Sequence, residues 1–147
     1  MPTPNVGVGV TSTTGQTIAS GVVTQIAFDA AIYDTNAMFD NPSDTLVVNT
    51  PGRYLLKSRL EWNIFVPIPN QNRQLRIRVN GNNVALDLQD TLITSQFGLI
   101  SQEASVIVPL NVGDRISLAV FQNTGNNALS VGAPPLAPQL QAEWLAP

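Results

Sequence analysis

The chain of 147 residues is 44% hydrophobic and 12% charged, with a net charge of −3 and a pI near 4.6. That balance fits one domain with a packed core, and it argues against both wholesale disorder and a protein whose main task is gripping nucleic acid, which usually shows a basic excess or a Lys/Arg cluster. The absence of cysteine and histidine removes disulfides, thiolate metal sites, cysteine catalysis, serine–histidine triads and the usual zinc constellations. The first residues, MPTPNVGVGVTSTTGQT, lack the positive start and continuous apolar segment of a signal peptide. No run of about 18 apolar residues predicts a membrane-spanning helix.

Val, Ile and Thr recur throughout, and ten glycines and eleven prolines punctuate the chain at short intervals, which predicts an all-β protein rich in hairpins. In NVGVGVT, residues 5–11, Val6, Val8 and Val10 share one face with Gly7 and Gly9 on the other. Glycine weakens a strand unless another backbone must come close, so residues 1–11 read either as an N-terminal edge strand or docking arm, or as a strand whose Gly7 and Gly9 pack closely against a neighbouring subunit. A strand is predicted over 22–28, then an irregular connection with a short strand near Ile32, then TLVVN before the turn at Pro51-Gly52.

The longest regular stretch follows. Strand 53–62 places Tyr54, Leu56, Leu60 and Trp62 on one face, and Arg53, Lys57, Arg59 and Glu61 on the other. VPIPNQN breaks the pattern. RQLRIRV and VALDL are joined at Asn80-Gly81-Asn82, with Leu75, Ile77, Val79, Val84, Leu86 and Leu88 expected inward. ASVIVPL and RISLAVF pair across Asn111-Val112-Gly113-Asp114, and QLQAEWLA closes the chain with Leu140, Ala142 and Trp144 alternating. About ten short strands with turns between them predict a jelly-roll β-sandwich spanning residues 1–147 as one domain.

The spacing of Phe28, Asp34, Phe39, Leu46, Gly52, Tyr54 and Leu56, with the segments FDAAIYDT, PGRYLL, LRIRVNG and VPLNVGDRISLAV in that order, resembles the complement C1q-like domain. That family shares the tumour-necrosis-factor-like jelly roll. Leu46 and Leu56 stand where it usually has phenylalanine, and Ser58 where it usually has an aromatic. The core signature is then Phe28, Phe39, Gly52, Tyr54, Leu56, Trp62 and Trp144. The resemblance implies a compact homotrimer about a threefold axis, with strand 53–62 in the inner sheet and Lys57, Arg59 and Glu61 turned toward other subunits.

Chemistry is hard to place on these residues. Lys57 and Ser58 are adjacent in a strand and point to opposite faces, which rules out a serine–lysine pair. DTNAMFDNPSD begins like a calcium loop at Asp34 and Asn36, but Met38 takes the next ligand position and Phe39 the required glycine. Gly7 and Gly9 are no nucleotide fingerprint, and Pro42 spoils the glycosylation triplet at 41–43. No cofactor and no enzyme activity are expected.

The expected role is a trimeric decoration, or cement, protein on a bacteriophage capsid, as compact jelly-roll trimers are on some phage heads. It would be made in the host cytoplasm and bound to the major capsid protein or another virion protein, without nucleic acid or membrane insertion. Docking would use Met1 to Val10 or the Pro-rich loop at 133–138. The alternative is a receptor- or carbohydrate-binding head on a phage fibre or bacterial surface. There, Asn- and Gln-rich loops at 63–73, 89–101 and 122–136 would hydrogen-bond sugars, and Trp62 and Phe97 would stack on them.

Overall fold

The computed structural model describes residues 5–64, 71–91, 98–125, 129–131 and 136–147. Among them the chain forms thirteen strands: β1 (Gly7–Thr11), β2 (Gln16–Ile18), β3 (Thr24–Gln25), β4 (Ala30–Asp34), β5 (Phe39–Asp40), β6 (Thr45–Val47), β7 (Gly52–Ile64), β8 (Gln71–Val79), β9 (Asn82–Thr91), β10 (Gly98–Leu110), β11 (Arg115–Gln122), β12 (Leu129–Val131) and β13 (Gln139–Ala146). They make two antiparallel sheets packed face to face. The expected ten strands become thirteen because segments of two or three residues, such as β3 and β5, are too short to carry a period that sequence can display. Of the strand expected over 22–28, only Thr24 and Gln25 join a ladder, on β11.

The first sheet is organised on β7. β10 runs along one of its edges from Gly52 to Ile64, while β13 and then β12 run along the other. Beyond β13 lie β1 and β4; beyond β12 lies β2. The second sheet has the order β5-β6-β11-β8-β9, with β3 added on β11. β1 is therefore paired on both edges, so residues 7–11 are a strand inside the sheet rather than the expected edge strand or a free arm, and Val6, Val8 and Val10 lie in the core.

The period-two alternation of β7 does the sorting. Tyr54, Leu56, Leu60 and Trp62 are fully buried, each worth about 1.5–3 kcal/mol in apolar transfer. Ser58 is buried between them, and Leu46 is buried too, so the three departures from the C1q pattern keep their inward direction. Leu75, Ile77, Ile116, Leu118 and Val120 meet them from the second sheet, together with Phe28 and Met38. Phe39 and Trp144 pack on the margin of this core.

The turn before β7 explains Gly52 and Tyr54. Gly52 has φ +147°, and a Cβ there would lie 2.5 Å from the Trp144 indole nitrogen and inside contact distance of the Ala146 carbonyl. The Trp144 Nε1–H donates to the Pro51 carbonyl (3.1 Å), and the Tyr54 hydroxyl donates to the Thr50 carbonyl (2.7 Å). The first and last long strands are thereby tied at one corner.

The inward placing expected of Leu86 and Leu88 is overturned: they are 53% and 50% exposed. The cause is a register shift between Ile77 and Arg78: Ile77 pairs with Ala85 but Arg78 pairs with Asn83, leaving Val84 as an extra residue. One inserted residue flips every later side chain to the other face. Ala85 and Asp87 then share the face of Ile77 and Leu75, while Leu86 and Leu88 join Arg76 and Gln74 outside.

A buried polar joint links the two sheets. The Trp62 Nε1–H donates to Gln102 Oε1 (2.7 Å), and the Gln102 amide donates to the carbonyls of Arg73 and Asp87 (both 3.1 Å). Gln102 comes from β10 of the first sheet, Arg73 and Asp87 from β8 and β9 of the second. Replacing it orphans one donor and removes a bond from two carbonyls, at about 1–3 kcal/mol for a buried unsatisfied group. Gln102→Leu is expected to lower the unfolding free energy by ~2–4 kcal/mol, read from the urea midpoint with Trp fluorescence. A loss under ~0.5 kcal/mol contradicts the joint.

Candidate functional site

The outer face of the first sheet gathers a particular set of residues. Register places them in rows: Leu55 opposite Ile107 and Glu143, Lys57 opposite Ser105 and Gln141, Arg59 opposite Glu103 and Gln139, and Glu61 opposite Ser101. Glu61, Glu103 and Glu143 are the three glutamates of the chain, and Lys57 is its single lysine. All four stand on this one face. Several aspartates are used differently, each accepting from backbone N–H groups: Asp34 from Met38 and Phe39, Asp44 from Phe28, Asp114 from Asn111. Asp34 is thus occupied by the turn that the calcium-like stretch forms.

Toward one end of the face aliphatic side chains stand among the charges, beside Arg53 and Glu143. Ile107 is 59% exposed and lies directly across from Leu55. Further along, Lys57, Arg59, Glu103, Ser105, Gln139 and Gln141 line a shallow cleft of about 380 Å³. Arg59 pairs with Glu61 at 3.0 Å, two residues along the same strand and on the same side. The pair is partly solvated, so its net contribution to stability is about 0–1 kcal/mol. Among the described residues neither the Lys57 amine nor the Glu103 carboxylate has an ion pair. Glu103 is held through its backbone instead, its N–H donating to Asp87 Oδ2 (3.3 Å) across the gap between β10 and β9.

Glu143 is engaged inside the chain. The Tyr33 hydroxyl donates to Glu143 Oε1, and the two side chains lie over β1. That accounts for both glycines of NVGVGVT: a Cβ on Gly9 would sit 2.7 Å from Tyr33 Cε1, and one on Gly7 would overlap the Glu143 carboxylate. The close approach that Gly7 and Gly9 allow is to side chains of their own chain, so the surface there is Tyr33 and Glu143. Burial first, then the hydrogen bond from Tyr33 to Glu143, then the carboxylate's charge push the Tyr33 phenol well above its ordinary value. Burial also raises Tyr54.

Of the residues singled out by sequence, the structure brings Lys57, Arg59 and Glu61 together on this face, and buries Leu56, Tyr54, Trp62 and Phe28 in the sandwich core. Trp62, bonded to Gln102 and fully buried, is not available to stack on a sugar. Phe97 lies outside the described residues, as do Met1 to Pro4, residues 133–135 of the Pro-rich loop and parts of the three Asn/Gln-rich loops. Glu103, Ile107, Tyr33 and Glu143 were missed by sequence reasoning. The signal for Ile107 was present, since it alternates with Val106 and Val108 in an apolar run whose two faces look alike.

No protein-family model matches the chain, and no curated protein matches it either. Among solved structures, the globular domain of zebrafish complement 1qA protein matches 96% of this chain and 97% of its own, with a TM-score of 0.63 and 12% identity. At that identity the likeness is one of fold: the two antiparallel sheets form a C1q-like jelly-roll sandwich. It is one of 215 solved chains that match, and a fold so widely used does not by itself fix a role.

The raised tyrosines set the alkaline behaviour. A phenol whose folded value exceeds the unfolded value near 10 contributes stability that is complete below that pH and is lost as pH rises through the folded value. Unfolding free energy is expected to fall with pH above about 10, and Tyr33→Phe to flatten that fall. An unchanged slope in the variant, read from urea titrations at several alkaline pH values, contradicts the Tyr33–Glu143 contact.

Proposed function

We propose that this C1q-like sandwich is a homotrimeric structural protein that decorates a bacteriophage capsid, with the outer face of its first sheet turned toward the threefold axis. The observation that carries the self-association is the make-up of that face. An isoleucine more than half exposed opposite a second aliphatic residue, beside the only lysine and all the glutamates, is a surface suited to being covered. Aliphatic contact supplies affinity, and mixed charges fix orientation and reject wrong partners. A second copy of the chain carries both halves of such a surface.

Decoration asks for little beyond this. A rigid trimer presents three identical outer sheets, and binding a repeated shell lattice at several points multiplies modest single contacts into firm attachment. The second sheet then faces away from the axis, and its exposed Leu86 and Leu88 with Arg76 and Arg78 stand where a shell partner would be met. The partner in this reading is the major capsid protein or another virion protein, and the work is done by docking rather than by reaction.

Cryo-electron microscopy of particles from the native source tests the role. Trimeric density at regular positions on the shell is the expected result. Density confined to fibre tips moves the role to the receptor- or carbohydrate-binding head, and particles that lack the chain altogether contradict both.

A further inference from the structure

We infer that the subunits interlock by charge: the rim carrying Glu103 and Asp87 of one chain docks on Lys57 of the next. This rests on the trimer proposed above and names the contact that sets its register. Among the described residues six charges belong to the outer face of the first sheet, namely Arg53, Lys57, Arg59, Glu61, Glu103 and Glu143. Two pairings within the chain already occupy three of them, Arg59 with Glu61 and Tyr33 with Glu143. What remains is one amine at Lys57, one carboxylate at Glu103, and Arg53 beyond Leu55 and Ile107.

Position makes the remaining pair complementary between chains. Lys57 sits on β7, a strand flanked on both sides by β13 and β10. Glu103 sits on β10, which pairs only with β7 among the described strands and so forms the margin of the sheet. Asp87 comes from β9, the margin of the other sheet, and its carboxylate reaches the Glu103 N–H. The margin is therefore acidic and the middle of the face basic. A closed ring of three uses a heterologous contact, in which one patch meets a different patch of the next copy. Margin on face satisfies that requirement, and face on face does not.

Within one chain Lys57 and Glu103 are diagonal neighbours, with Ser105 and Arg59 as their direct partners, and no ion pair joins them. Their encounter across chains removes both from much of the water, which strengthens a pair that would be weak on an open surface. Screening follows from the same physics, so assembly weakens as salt is raised.

Charge reversal with mixing tests the contact. Both side chains are exposed, so each variant folds, checked by circular dichroism and the thermal midpoint. In sedimentation equilibrium, Lys57→Glu alone and Glu103→Lys alone are each expected to weaken trimer formation by roughly tenfold or more. An equimolar mixture of the two is expected to associate more tightly than either, because each supplies the charge the other lacks; a pair internal to one chain gains nothing from mixing. Single variants that assemble like wild type, or a mixture no better than its components, overturn the inference and leave the trimer standing. A wild-type chain that stays single overturns the trimer and the inference together.

Discussion

The strict alternation of β7 is the constraint on which everything else depends. Over thirteen residues its inward positions carry Tyr54, Leu56, Leu60 and Trp62, and its outward ones Lys57, Arg59 and Glu61. Because side chains in a strand point to opposite faces, the same backbone must fill the sandwich and furnish its surface. β10, β12 and β13 all take their register from it. A slip by one residue would place charge in the core and aromatic rings in water, so the register is fixed by a large free-energy difference.

Two polar devices then make the sandwich specific. At one corner Gly52 lets the Trp144 indole and the Ala146 carbonyl come close, and Tyr54 closes the preceding turn. On the opposite flank Gln102 joins Trp62 to the backbones of the second sheet. That bridge does a second job. The carbonyl of Asp87 on marginal strand β9 is occupied by an amide, and a marginal strand with its groups engaged is a poorer template for stray pairing. The margin remains open to ionic contact but not to strand addition at that point.

Much of this was legible in the sequence, for a physical reason. Where an apolar row alternates with charges, as from Arg53 to Trp62, period and polarity agree and the face can be read directly. The same holds for the turn at Pro51-Gly52, whose backbone demands glycine. Reading failed where the cause lies outside the segment. The bulge at Val84 arises from pairing with β8, and it turns Leu86 and Leu88 outward although their spacing looks inward. Gly7 and Gly9 make room for Tyr33 and Glu143, which lie 24 or more positions away in the chain and meet them only through the ladders of β4 and β13. Glu103 gave no sign at all, because its importance depends on the engagement of its neighbours rather than on its own context.

The central claim is that other copies of the chain cover the outer face of the first sheet. Since Lys57 is the single lysine, an amine-acylating reagent reports on that face at one side chain, with peptide mass separating it from the amino terminus. The account predicts that Lys57 is protected at concentrations where the mass in solution is three times the 15.7 kDa of one chain. It also predicts that Lys57 becomes reactive on dilution. Reaction at the rate of a free amine at every concentration, with the mass of a single chain, would contradict it.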